Sequence, residues 1–192
     1  MDTIRIRNFR SIVDSVDIKI NKINILLGRN SSGKSSFVRI FPMLRATVKH
    51  ELRGPVLWFD DNYDFGSFGN TLCRHRPDGE DFIMFGFEWK YESTKSESID
   101  LSLFKPKGFL ANTSKFKVNL YISELKGQTK LSKLEIATDN DNVVIAIADD
   151  TRNHLNVYVN GRQLNVGKGY WDYSTKGIIP DLKYKKWKLK NL

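Results

Sequence analysis

The stretch that decides the fold is Gly28-Arg29-Asn30-Ser31-Ser32-Gly33-Lys34-Ser35, which fits the pattern G-x-x-x-x-G-K-S in full. The two glycines of this pattern allow a tight backbone turn whose N–H groups point toward phosphate oxygens. Lys34 supplies a cation for the β and γ phosphates, and Ser35 supplies a hydroxyl for Mg²⁺. The motif therefore predicts a binding site for a nucleoside triphosphate, with ATP and Mg²⁺ as the expected ligands.

The residues on both sides of the motif have the pattern that it requires. Ile23 to Leu27 is an apolar run of strand length, which predicts a buried strand leading into the loop. From Lys34 onward, apolar residues recur at three- and four-residue spacing, which predicts an amphipathic helix. Pro42 lies inside this pattern and predicts a kink or an early end, and Gly54-Pro55 closes the element. The predicted buried helix face consists of Phe37, Ile40, Phe41, Leu44, Val48 and Leu52.

Farther from the motif, the sequence predicts strands on both sides. Thr3 to Asn8 and Val16 to Ile20 alternate apolar and polar residues, as half-buried strands do. Asp60 to Gly79 is rich in Gly, Asp and Asn and predicts a loop, whereas residues 82–166 predict an antiparallel meander. Asn160-Gly161 is a hairpin signal, because this pair tolerates the positive φ of a tight primed turn. We expect a nucleotide-binding core over residues 1–80 and an antiparallel β subdomain with a basic C-terminal segment over 81–192.

Composition narrows the class of protein. The chain has 192 residues, of which 40% are hydrophobic and 28% charged, as in a globular domain. No apolar run approaches the roughly 20 residues of a membrane span, and we see no signal peptide. Cys73 is the single cysteine, so no internal disulfide can form, and we expect a reducing, cytoplasmic location. The net charge of +9 favours polyanionic partners, with nucleic acid among them.

Two segments together resemble a known group of ATPases. The segment from Ile4 to Ser11 (Ile-Arg-Ile-Arg-Asn-Phe-Arg-Ser), with the run from Ile23 to Ser36, resembles the N-terminal lobe of SMC-like, ABC-type ATPase heads. RecF, the OLD-type ATPases and several bacterial phage-defence ATPases belong to that group. The resemblance implies an α/β fold: a P-loop NTPase N-terminal lobe with a small mixed sheet and an antiparallel β subdomain. Asp64 to Asn70 also resembles a loop of such ATPases.

The resemblance also implies site residues. In such heads, the Arg and Ser after the first strand lie beside the nucleotide, which adds Arg10 and Ser11 to the site. Ser35 is the expected Mg²⁺ ligand. The predicted nucleotide-binding residues are Arg10, Ser11, Asn30, Ser31, Ser32, Gly33, Lys34, Ser35 and Ser36.

The same resemblance implies binding partners and an active site that is completed by a further lobe or subunit. Such heads dimerise with ATP, so we expect a homodimer or larger oligomer, with a nuclease or other effector as a possible partner and a task in phage defence or DNA maintenance. They also need a Walker B strand, a signature loop of the Leu-Ser-x-Gly type and a switch His. The sequence contains no such signature loop. We therefore expect ATP binding here, with hydrolysis completed by a second lobe or a dimer partner.

Two stretches imitate a Walker B strand. Val143 to Ala148 is followed by Asp149-Asp150, and Pro55 to Phe59 is followed by Asp60-Asp61. A Walker B strand lies parallel to the strand before the phosphate loop, which requires a crossover connection. The hairpin-length breaks around Val143 to Ala148 favour an antiparallel strand instead.

Two other function classes therefore stay open. One is a self-sufficient P-loop enzyme of the kinase type that uses Asp149, and the other is a nucleotide-dependent binding module without catalysis. The run from Lys183 to Lys190, with Tyr184 and Trp187, fits either a nucleic-acid contact or a solvated basic surface.

Overall fold

The computed structural model describes residues 1–49, 54–90, 115–149, 154–164, 169–172 and 181–184. Most of the described strands form one nine-stranded sheet, and two further pairs of strands lie outside it. The elements are β1 (Thr3–Phe9), β2 (Ile12–Asp14), β3 (Ile18–Lys19), α1 (Lys34–Lys49), β4 (Phe59–Asp60), β5 (Tyr63–Asp64), α2 (Phe68–Thr71), β6 (Ile83–Lys90), β7 (Lys115–Leu125), β8 (Gln128–Thr138), β9 (Asn142–Asp149), β10 (His154–Val159), β11 (Arg162–Leu164), β12 (Gly169–Asp172) and β13 (Asp181–Tyr184).

The large sheet has the strand order β11-β10-β9-β8-β7-β6-β1-β2, and β3 pairs with β1 as well. Every strand pairing among the described residues is antiparallel, so the small mixed sheet expected around the phosphate loop is not present there. Because β1 pairs directly with β6, the sheet runs without a break past residue 80, where the sequence suggested a division into two parts.

The predicted strand near the N-terminus is confirmed as β1, and its alternation explains its place in the sheet. Ile4 and Ile6 are fully buried in the core. Arg5 and Arg7 point to the other face, where Arg5 pairs with Asp14 and Arg7 with Glu80. The second predicted strand, Val16 to Ile20, is reduced to the two residues of β3.

The predicted meander is confirmed from β6 to β11. Two of its described turns, between β7 and β8 and between β10 and β11, have two residues each, and both residues have positive φ. Asn160 and Gly161 have φ of 50° and 78°, and Lys126 and Gly127 have φ of 52° and 71°. These turns connect β10 to β11 and β7 to β8, so the prediction from Asn160-Gly161 is correct.

The helix α1 begins at Lys34 as predicted, but two details differ. It continues past Pro42 to Lys49, so the early end is wrong. A proline removes one backbone donor, and the surrounding helical hydrogen bonds remain. The buried face is also rotated: Phe41 and Val48 are 36% and 48% exposed, and Leu52 lies outside the described residues. The buried positions are Phe37, Ile40, Met43, Ala46 and Thr47.

The apolar run Ile23 to Leu27 is the largest departure from the sequence analysis. It is not a strand, and Ile23, Ile25 and Leu27 are 81%, 77% and 88% exposed. A buried strand needs neighbours that cover both of its faces and pair with its backbone. Among the described residues no strand lies beside this run, so its apolar side chains face outward.

The segment predicted as a loop, Asp60 to Gly79, is shaped by its own small elements. The β4–β5 hairpin and the short helix α2 lie in it, and Ser67 caps α2 by accepting a hydrogen bond from the Asn70 N–H. Its aromatic residues Phe65 and Phe68 are buried, and Phe65 packs edge to face against Phe9 of β1, with the ring centres 5.0 Å apart. The loop is therefore anchored to the core beside the end of β1.

Two observations complete the fold. Of the basic run Lys183 to Lys190, only the first two residues are described; they end β13, which pairs with β12. The longest described helix has 16 residues, and none of the described helices is both long enough and apolar enough to cross a membrane.

Candidate functional site

Arg10 and Ser11 form the tip of the hairpin between β1 and β2, since Phe9 pairs with Ile12. Arg10 has a positive φ of 57°, an uncommon conformation for a residue with a side chain. Its backbone N–H donates to the Thr71 carbonyl at 2.6 Å, and its Nη1 donates to the Asn70 carbonyl at 3.3 Å. The guanidinium also lies 5.8 Å from the centre of the Phe65 ring. The hairpin tip is therefore fixed against the segment around α2.

The phosphate loop takes a contorted path that only its small residues allow. Gly28, Ser31 and Gly33 have φ of 156°, 63° and 96°. A Cβ on Gly33 would lie 2.8 Å from the Ser11 Oγ and 3.2 Å from Ile12 Cγ1. Gly33 thus permits the hairpin tip to touch the loop directly. This contact joins the Asn-Phe-Arg-Ser segment and the phosphate loop in one place.

Helix α1 starts at the end of the loop, with the Phe37 N–H donating to the Gly33 carbonyl at 2.8 Å. The first N–H groups of a helix have no partner inside it, and the helix dipole adds partial positive charge there. Lys34 Nζ lies against the loop and donates to the carbonyls of Gly28 and Arg29 at 2.7 and 2.6 Å. The start of α1 therefore combines a full cation with oriented backbone donors, which together attract an anion.

These elements enclose a cleft of about 530 Å³. It is lined by every predicted nucleotide-binding residue except Ser32, whose hydroxyl lies 3.5 Å from Lys34 Nζ. The structure therefore brings the predicted residues together; that they bind nucleotide stays a prediction. The cleft is lined by Arg10, Ser11, Asn30, Ser31, Gly33, Lys34, Ser35, Ser36, Asn70, Leu72, Arg74 and His75.

Four of the lining residues were not predicted from the sequence: Asn70, Leu72, Arg74 and His75. Asn70 lies in α2, and the other three follow it in the segment predicted as a loop. The backbone of this segment runs antiparallel to the end of β1, where Leu72 forms a bridge with Phe9 and the Cys73 N–H donates to the Asn8 carbonyl at 2.9 Å. The signal that could have found them is the short run Leu72-Cys73, whose apolar side chains suit packing beside a strand.

Neither of the two Walker B-like stretches lies where a Walker B strand should lie. Asp149 ends β9, which is antiparallel to both β8 and β10. Three strands separate β9 from β1, so at about 4.8 Å per strand Asp149 lies on the order of 19 Å away across the sheet. Asp150 lies outside the described residues. The other imitation ends in β4, which pairs antiparallel with β5, and neither Asp60 nor Asp61 lines the cleft.

The chemistry of the lining suits a polyphosphate. Arg10, Lys34 and Arg74 are cationic, and none of the described residues that line the cleft is a carboxylate. The Ser35 hydroxyl at the start of α1 fits Mg²⁺, which binds few protein ligands and keeps phosphate oxygens and water for the rest. No cluster of three or more His, Cys, Asp or Glu residues occurs in the described part of the chain.

Comparison with protein families gave a match over most of the chain. A family model described as an AAA ATPase domain matches residues 1–169, which include the whole cleft and the meander. A search of curated proteins found no match to the chain.

Proposed function

The chain belongs to the AAA ATPase domain family, and from this premise we propose that it binds Mg·ATP in the cleft between the phosphate loop and the segment after α2. The family implies ATP binding and ATPase activity. The proposed part is the location: Lys34 and the first N–H groups of α1 hold the β and γ phosphates, and Arg10 and Ser11 line the same site. Bound Mg²⁺ would neutralise charge on the phosphate oxygens, with Ser35 as its protein ligand.

The observation that carries this proposal is the contact between Gly33 and Ser11. It joins two distant sequence motifs, each with its own link to nucleotide binding, at the start of one helix. A chance turn of glycine and serine would have no reason to meet the tip of the β1–β2 hairpin. The cleft that results has the size of a ligand site, since such sites span about 300–1,000 Å³.

We propose further that hydrolysis is completed by residues outside this cleft, from another segment or from a second copy. An attacking water needs a group that orients it, and enzymes of this chemistry use a carboxylate or a glutamine for the purpose. None of the described lining residues is of either kind. The exposed run Ile23 to Leu27 supports the same view, because a second element that paired with it would also reach the phosphate loop.

The setting that we propose is a DNA-maintenance or phage-defence machine in which ATP brings two heads together. The support is the resemblance of the Ile4 to Ser11 segment to SMC-like heads and the net charge of +9, which attracts polyanions. ATP-dependent dimerisation can be measured by light scattering with and without Mg·ATP. An unchanged mass at saturating nucleotide would contradict the dimer.

Nucleotide binding is tested by titration calorimetry on the 192-residue chain with Mg·ATP. Lys34→Ala should weaken binding at least about tenfold, because hydrogen bonds to charged groups contribute roughly 1.5–3 kcal/mol. Lys49→Ala, at the other end of the same helix, is the matched control and should leave the dissociation constant unchanged. Equal affinities for Lys34→Ala and the unsubstituted chain would contradict the proposed site.

Turnover separates the three function classes. An ATPase part that needs completion should bind ATP and release no phosphate alone, and should gain turnover when the missing element is supplied. A kinase should consume ATP only with an acceptor, and a pure binding module should show no turnover in any mixture. Phosphate release by the isolated chain that Lys34→Ala abolishes would show that the cleft is already complete.

A further inference from the structure

Arg74 lies in the cleft wall formed by the segment after α2, and its position is fixed by the backbone rather than by its side chain. One residue before it, the Cys73 N–H donates to the Asn8 carbonyl, and Leu72 bridges Phe9. These contacts tie the segment to the end of β1. The exposed Arg74 side chain therefore starts from a rigid backbone and lines the same cleft as Lys34.

The other arginines near this wall already have partners. Arg76 pairs with Asp81 and donates to the Cys73 carbonyl. Arg7 donates to both oxygens of Glu80, and Arg10 contacts the Asn70 carbonyl and the Phe65 ring. Arg74 has no hydrogen bond and no ion pair within the described residues. Among the residues that the structure describes, it is thus a cation at the cleft without an anionic partner.

A guanidinium in such a place selects for an anion with several oxygens, because its planar donors match phosphate geometry. The lining gives it no competing carboxylate among the described residues. Mg²⁺ neutralises only part of the charge of a triphosphate, so a further cation beside Lys34 and Arg10 lowers its energy in the cleft. Stacking on a nucleobase is the other use of a guanidinium, but none of the described residues that line the cleft has a large aromatic side chain to complete such a sandwich.

We propose that Arg74 is a phosphate-binding residue that holds the triphosphate from a second chain segment, separate from the phosphate loop. This inference rests on the proposed nucleotide site and adds a residue that lies outside the loop motif. The segment after α2 then senses the number of phosphates directly, because its contact is to the charged tail and not to the base. It follows that Arg74 favours triphosphates over monophosphates.

The test compares Arg74→Gln with the unsubstituted chain by calorimetry, using Mg·ATP, Mg·AMP and inorganic tripolyphosphate with Mg²⁺ as probes. Arg74→Gln should weaken ATP and tripolyphosphate by a similar factor of about ten, which corresponds to about 1.4 kcal/mol, and should change AMP binding little. Arg45→Gln, on the exposed face of α1, is the matched control and should bind all three probes as the unsubstituted chain does. Thermal unfolding should be unaffected, since Arg74 has no partner in the described structure.

Two results would overturn the assignment. One is a loss for ATP with unchanged affinity for tripolyphosphate, which would place Arg74 at the base or ribose. The other is a change of less than about threefold for both probes. Failure of the unsubstituted chain to bind either probe is a separate result, because it would refute the nucleotide site itself rather than the role of Arg74.

Discussion

Replacing Gly33 with alanine tests the contact that joins the phosphate loop to the hairpin tip. Gly33 has a φ of 96°, and a new Cβ would meet Ser11 Oγ at 2.8 Å and Ile12 Cγ1 at 3.2 Å. The backbone strain of a residue with a Cβ in this region costs about 1–2 kcal/mol. Ser11 Oγ and Ile12 Cγ1 both crowd the new Cβ, which adds about 1 kcal/mol, the lower end of overpacking costs. We expect Gly33→Ala to lower the free energy of unfolding by about 2–3 kcal/mol.

Gly79→Ala provides the matched control, because Gly79 has a similar φ of 80° and nothing lies within 4 Å of its added Cβ. Gly79→Ala introduces the backbone strain without the crowding, so it should lower the free energy of unfolding by about 1–2 kcal/mol. Urea unfolding followed by tryptophan fluorescence gives both values, and calorimetry with Mg·ATP shows whether the loop still binds. Gly33→Ala should abolish binding, whereas Gly79→Ala should preserve it.

Combining Gly33→Ala with Ser11→Ala tests the same contact in a second way. Removing the Ser11 hydroxyl takes away the 2.8 Å contact, so the double variant should recover part of the lost stability. Equal destabilisation by Gly33→Ala and Gly79→Ala, or no recovery in the double variant, would refute the close approach of the hairpin tip to the loop.

Two further predictions concern the sheet. Gly86→Ala should lower the urea midpoint, because its Cβ would lie 2.7 Å from Asn119 Oδ1, in a side chain held by a hydrogen bond to Glu135; an unchanged midpoint would show that Asn119 moves freely. The hydrogen bond from Arg5 lowers the pKa of Asp14 below its ordinary 3.8, against the opposing effect of burial. A lowered pKa stabilises the fold above pH 3.8, and this stability is lost as the pH falls through the lower folded value. Asp14→Asn should therefore lower the free energy of unfolding by about 1 kcal/mol at neutral pH and should reduce the loss of stability on acidification. An equal loss of stability with falling pH in the variant would contradict the assignment.

The phosphate loop and the meander could be predicted because their signals are local. Gly28 and Gly33 at fixed spacing specify a backbone shape, and Asn160-Gly161 specifies a turn, whatever surrounds them. The run Ile23 to Leu27 could not be placed in the same way. Apolar residues indicate that a segment tends to be buried, but the run itself does not specify which element would bury it.

The helix and the cleft wall illustrate the same limit. Spacing predicts that one face of α1 is buried, but the exact face depends on what packs against it, so Met43 and Thr47 replaced Phe41 and Val48. The position of Arg74 in the cleft could not be predicted, because the composition of a polar loop does not indicate which strand the loop lies beside. This position results from backbone hydrogen bonds to β1, which do not depend on particular residue types.

The exposed run Ile23 to Leu27 also sets how the purified protein should behave. Five uncharged residues, four of them Ile or Leu, with no neighbouring strand in the described structure are a template for edge-to-edge association between copies. Lys22 and Arg29 flank the run and act as gatekeepers, since like charges meet when two such edges align. Salt screens this repulsion, with a Debye length of about 3 Å at 1 M. Concentrated stocks should therefore stay clear at low ionic strength and become turbid as salt is added.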